Sequence, residues 1–285
     1  DVIINARDPG YGKTSYSYFT VESGAKLAIG KNFTITGYAY QSGFGYINTN
    51  LYGDVQVNGD FNIDDVTNTY FRGILNVDGD LNQTAKTHTL ETTTGKVWVC
   101  TGANCIVNGD FNLKGSYYGN VDVNWAVFEV SGGSFEVKGN LNATDRFVAL
   151  KQTGSNSQWL IRGDVYIDVL NKTYVPGFST GLPSYTCNFT AGTLTIGGHF
   201  NSVNSDSPIT FTNAHTVIFN GAETQTIINL KANNLTITNT SSNGVCFSGI
   251  SYVTWDLNTY TSKLVNGENL IVNGGRFIGD TLDGD

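Results

Sequence analysis

The stretch Val55-Gln56-Val57-Asn58-Gly59-Asp60-Phe61-Asn62-Ile63 decides the fold, because the chain keeps rewriting it. It returns as Leu75-Asn76-Val77-Asp78-Gly79-Asp80-Leu81-Asn82, as Ile106-Val107-Asn108-Gly109-Asp110-Phe111-Asn112-Leu113 and as Phe135-Glu136-Val137-Lys138-Gly139-Asn140-Leu141-Asn142. Residues 160–167 hold a further copy, and residues 29–33, 194–201 and 272–277 hold looser ones. In each, apolar residues alternate, a polar-Gly-polar bend interrupts them, and the alternation resumes. Alternation marks a half-buried strand. The glycine is expected there for backbone angles that a side chain resists, with Asn the next most tolerant residue. The unit is strand, sharp bend, strand, with one apolar face continuing around the corner.

The spacing of the unit decides what it builds. Glycines 59, 79, 109, 139, 163 and 198 are separated by 20, 30, 30, 24 and 35 residues. Self-similarity at such periods points to solenoids or propellers. One coil of three short strands and their bends needs about that length, and neighbouring coils pair at roughly 4.8 Å. Stacking then buries what no single coil buries. The expected fold is all-β, a single-stranded parallel β-helix with a long loop over one face. Asn-Gly between alternating apolar residues is also a hairpin signal, so an antiparallel β-sandwich is the alternative. Hairpins would leave short, similar spacings throughout, whereas this bend recurs once per 20–35 residues.

A chain of 285 residues supports a large core, and a solenoid of this size counts as one domain. The net charge of −8, with only 14% charged residues, argues against nucleic acid and anionic membranes, which need clustered Lys and Arg. Solubility falls to Asn, Thr, Ser and Gly, a surface suited to a neutral polar partner such as carbohydrate. Methionine is absent, so the chain reads as a mature or trimmed piece of a longer protein. No run of about 18 apolar residues is present to span a membrane. Cys100 and Cys105 are spaced to close a small loop, and Cys187 and Cys246 pair if adjacent coils bring them together. The short CxxC spacing of a zinc site is missing. Disulfides imply an extracellular location, here with any surface anchor outside the sequence.

Residues 1–24 lack the bend and are expected to cap the first coil, whose edge needs protection. Between 168 and 193 the bend is again missing, and two of the four prolines, Pro176 and Pro183, fall there. A long insertion in a repeat fold belongs on one face, often the functional one; residues 170–188 read as an excursion across the wall. Residues 276–285 form an acidic end.

Signals for catalysis are weak. Glycoside hydrolysis needs two carboxylates facing each other across a cleft. Asp64 and Asp65 are adjacent and would point to opposite faces of a strand, while Asp164 and Asp168 have no evident acidic partner. A lyase acting on a polyanion needs basic residues, and Arg146, Lys151 and Arg162 are the only mid-chain cluster. His88, His199 and His215 are isolated and read as surface or bend residues. No enzyme activity, cofactor or metal is expected. The remaining signal is aromatic: 16 Phe, 15 Tyr and 4 Trp. Phe61, Phe111, Phe135 and Phe200 occupy the inward register, whereas Tyr and Trp mostly fall outside it. Their amphipathic rings suit a wet surface, and sugar C–H faces stack on aromatic rings. Tyr70, Tyr117, Tyr118, Trp125, Tyr166, Tyr174, Phe178 and Tyr185 are the candidate carbohydrate-binding residues. Rings two coils apart would be spaced roughly 9.5 Å, about one disaccharide.

The segment Thr216-Val217-Ile218-Phe219-Asn220-Gly221-Ala222-Glu223-Thr224-Gln225-Thr226-Ile227, followed by Asn234-Leu235-Thr236-Ile237-Thr238-Asn239-Thr240, resembles the repeats of bacterial haemagglutinin-like surface proteins. Those repeats imply a β-helical adhesin. In its architecture and aromatic, Asn/Thr-rich composition the chain also resembles the tāpirins, cellulose-binding surface adhesins with a long loop over one face of a β-helix. The resemblance implies a monomeric, cell-surface protein whose partner is an insoluble plant polysaccharide: cellulose, or another glucan or xylan. A polysaccharide lyase or glycoside hydrolase on the same scaffold is the alternative, and a structural stalk the third.

Overall fold

The computed structural model describes residues 1–6, 13–40, 43–64, 67–85, 94–118, 122–169, 187–203, 210–248, 251–253, 257–260, 264–265, 270–272 and 277–279. The protein is all-β, and its strands run parallel within their sheets. The chain visits three faces in a fixed order. Gly43–Leu51 lies on the third face, Asp54–Val57 on the first, Phe61–Asp64 on the second, and Thr67–Phe71 returns to the third. Each strand then pairs with the strand one pass earlier: Asp54 with Ile74, Phe61 with Leu81, Thr49 with Thr69. The second face is a sheet of 11 strands. The first and third faces share one sheet of 19, joined where Asn188–Ile196 and Thr210–Phe219 run from one face onto the other. Among the described residues only two pairings are antiparallel, Tyr38–Tyr40 with Gly43–Leu51 and Ser116–Tyr118 with Asp122–Val130. The antiparallel sandwich does not hold, because copies of the bend unit lie side by side and point the same way.

Alternation puts every second residue inside. Val55, Val57, Phe61 and Ile63 are buried, while Gln56 and Asn62 between them are not. One apolar cluster, from Val21 and Phe33 to Phe247 and Leu257, runs through the successive passes. Within it Phe33 stacks on Phe61 with centroids 4.8 Å apart, and Phe111, Phe128, Phe135 and Trp159 pack tilted or edge to face. Each such ring contributes roughly 2–3 kcal/mol by leaving water.

The glycine of the bend has a different cause from the one expected. Gly59, Gly79, Gly109, Gly139, Gly163 and Gly198 do not adopt positive φ. They are small because the passes approach too closely there. A Cβ on Gly109 would lie 2.2 Å from Asp80 Oδ1 and 2.6 Å from the Gly79 carbonyl oxygen. Gly79 N–H donates to the Gly59 carbonyl at 3.0 Å, and the same bond repeats from Gly109, Gly139, Gly163 and Gly198 to the preceding bend.

Several boundaries differ from the sequence reading. Within the expected cap, Val2–Asn5 and Thr14–Val21 are strands paired with Phe33–Thr36 and Gly43–Leu51, and Val2–Asn5 is the end strand of its sheet. Of the supposed insertion, Asp168 and Val169 still belong to Val165–Val169, and strand Asn188–Ile196 has already begun by 188; residues 170–186 lie outside the described residues. In the acidic end, Phe277–Gly279 is a strand beside Leu257–Tyr260.

Candidate functional site

The bends form the edge of the site. Along them, each Asx side chain accepts a hydrogen bond from the backbone of the next pass. Asp60 N–H donates to Asn32 Oδ1, Asp80 to Asp60, Asp110 to Asp80, Asn140 to Asp110, Asp164 to Asn140 and His199 to Asp164, at 2.7–3.0 Å. His199 Nδ1 then accepts from Thr226 N–H at 2.8 Å, which fixes its proton on Nε2. Where the Gly-Asp bend lapses, the buried Gln225 takes over. Its Oε1 accepts from Gly221 N–H and Asn239 Nδ2, and its Nε2 donates to the Ile196 and Gly198 carbonyls.

Beside this edge, the outward residues of the second face align in register: Thr34, Asn62, Asn82, Asn112, Asn142, Tyr166 and Asn201. The amides form a one-way ladder. Asn142 Nδ2 donates to Asn112 Oδ1, Asn112 to Asn82 and Asn82 to Asn62, each at 2.9 Å, and Asn62 donates to Thr34 Oγ1 at 3.3 Å. The row floors an open groove of about 670 Å³, flanked by Asp64, Thr84, Lys114 and Thr144. A second depression of about 430 Å³ continues past Asn142 along Tyr166, His199 and Asn201. The amides are half-buried, so a ligand reaches them. The chain matches no known protein family, no curated protein and no solved structure.

The expected aromatic surface is divided between two faces. Tyr166 lies in the groove of the second face, but Tyr70 is on the third. There Tyr70 and Trp98 are paired in register, with centroids 4.5 Å apart and planes 4° apart. That separation is less than a ring's width, so the rings cannot lie side by side; each covers one face of the other. The Arg72 guanidinium stands 5.0 Å from the Tyr70 centroid and 5.3 Å from that of Tyr52. Tyr16 and Tyr46 stack in the same manner at 5.4 Å. Each pair leaves the far face of each ring uncovered by its partner, and Tyr16 and Tyr18 stand 61% and 75% exposed.

Trp125 corrects the sequence reading. It is buried, edge-on to Phe147 at 5.6 Å, in a small cluster with Val127 and Ala149. It supports the wall and offers nothing to a ligand. Tyr117 lies in strand Ser116–Tyr118 with Tyr118, but their side chains are outside the described residues, as are Tyr174, Phe178 and Tyr185 entirely. No disulfide joins Cys100, Cys105, Cys187 or Cys246. Cys105 and Cys187 face inward, and burial holds both thiols protonated, that of Cys187 pushed up to about 12. Cys246, between buried Val245 and Phe247, alternates to the other side of its strand, away from the interior that holds Cys187. No cluster of His, Cys, Asp or Glu among the described residues is arranged to hold a metal ion.

His215 was read as a surface or bend residue and is instead fully buried. Gln152 Nε2 donates to the Ser157 carbonyl, Ser157 Oγ and the Thr193 carbonyl, which turns Gln152 Oε1 toward His215 Nε2 at 2.9 Å. The imidazole is thus a neutral Nε2–H donor, edge-on to Phe189, and burial lowers its pKa to about 3. His215 shares the inward register of Val217 and Phe219 on strand Thr210–Phe219, so the alternation itself places it inside, against Gln152, 63 residues away in the sequence.

Proposed function

We propose that the chain is a single-stranded parallel β-helix serving as an extracellular, cell-surface adhesin that binds insoluble plant polysaccharide, with cellulose first, and does not cleave it. The observation that carries this reading is the groove on the second face: a row of amides and hydroxyls, interrupted by Tyr166 and uncharged along its floor, with hydrogen-bonding capacity spread over many passes. Neutral glycans expose hydroxyls at every sugar, and such a row answers them without the desolvation cost of buried charge. The net charge of −8 speaks for a neutral rather than a polyanionic glycan.

A pull-down on microcrystalline cellulose tests the reading. Retention in the pellet, competed by soluble gluco-oligosaccharides, is expected; recovery in the supernatant on cellulose, xylan and mixed-linkage glucan alike would leave a structural stalk. Release of reducing sugar or unsaturated uronate during the same incubation would make the protein an enzyme instead.

A further inference from the structure

The amide row also carries a measure of length, an inference that rests on the polysaccharide reading and concerns how the ligand lies. Asn82 Nδ2 spends one N–H on Asn62, and its Oδ1 spends one lone pair on Asn112. Asn112 is used in the same way by Asn82 and Asn142. Each amide keeps a second N–H and a second lone pair. The row thus presents one donor and one acceptor per pass, at the strand spacing of roughly 4.8 Å. An extended, equatorially linked sugar chain advances about one residue over that distance and brings hydroxyls that both donate and accept. A chain lying across the face would meet only one or two rungs. We infer that the second face binds a ribbon-like neutral glycan with its axis along the amide row, one sugar per rung from Asn62 through Asn82, Asn112 and Asn142 to Tyr166. Tyr166, in register with Asn142, replaces the fifth amide with a ring on which the last sugar packs.

Calorimetric titration of the intact protein with cello-oligosaccharides of two to eight sugars reads this directly. Affinity is expected to rise about two- to tenfold with each sugar up to five, and to change little from six to eight. Tyr166→Ala removes the gain from the fifth sugar, so that affinity levels off at four. Asn112→Ala lowers affinity for every ligand of three sugars or more, with thermal unfolding recorded alongside to show that the variant is folded. Affinity that levels off at two or three sugars, or that ignores Tyr166→Ala at every length, overturns the one-sugar-per-rung arrangement while cellulose retention keeps the polysaccharide reading. Loss of binding to all oligosaccharides and to cellulose by the unaltered protein overturns both.

Discussion

The second and third faces are built by the same repetition and end with opposite surfaces. On the second face, outward Asn62, Asn82, Asn112 and Asn142 hydrogen-bond from pass to pass and each keeps polar capacity to spare. On the third, outward Tyr70 and Trp98 meet at the same spacing and cover each other's flat sides. Stacking at the distance of paired strands covers one of the two faces of each ring. An amide ladder uses only half of its hydrogen-bonding groups, and the half that remains points outward from every pass.

Both faces depend on the corner between the first and second faces, and breaking it is the largest effect expected. Gly109→Ala drives a Cβ into the Asp80 carboxylate and the Gly79 carbonyl. It should cost more than about 3 kcal/mol in denaturant-induced unfolding. Gly102→Ala is the contrast: φ is +83° but no atom lies within 4 Å, so a loss of only about 1 kcal/mol is expected. Equal costs at the two positions would mean that close approach does not select the corner glycine.

Acid should act behind the third face before it reaches the second. His215 has a folded pKa of about 3 against an ordinary 6.5. Above 6.5 the imidazole is neutral in both states. Between 6.5 and 3 the unfolded chain takes up a proton that the folded state refuses, so stability falls with falling pH by at most about 1.4 kcal/mol per unit. Thermal melts from pH 7 to 5 should show this slope in the parent and lose it in His215→Gln. An unchanged slope in the variant would assign it to other groups.

Asn112→Ala breaks two amide bonds and should cost about 1–2 kcal/mol, with weaker retention on cellulose. Trp98→Ala uncovers one side of Tyr70 and should cost about 1 kcal/mol, with retention unchanged or increased. Loss of retention in the tryptophan variant and not in the asparagine variant would reverse the comparison of the two faces.

The bend unit alone made the corners and the inward register legible, because alternation states which residues point in. Phe61, Phe111, Phe135 and Phe200 were placed in this way. Outside the bend unit, what stands one pass away was not legible, because passes differ in length: Trp98 follows its partner Tyr70 by 28 residues, and Glu129 follows Trp98 by 31. Without that register Tyr70 and Trp98 read as two separate rings and not as one stack. Trp125 read as outward because it falls outside the inward register of the bend unit, yet Phe147 of the next pass packs against it. Residues 1–24 lack the glycine bend, and the strands Val2–Asn5 and Thr14–Val21 pair there without it. Asn62, Asn82, Asn112 and Asn142 hold one position of the repeated unit, and their side-chain amides form an uninterrupted run on the open face.

Side-chain amide and indole NMR signals, followed while a gluco-oligosaccharide of six sugars is added, test most directly which face holds the ligand. The Nδ2 resonances of Asn62, Asn82, Asn112 and Asn142 should shift together while the Trp98 indole signal stays in place. A shifting Trp98 indole beside four unmoved amides would put the ligand on the aromatic face and contradict the groove.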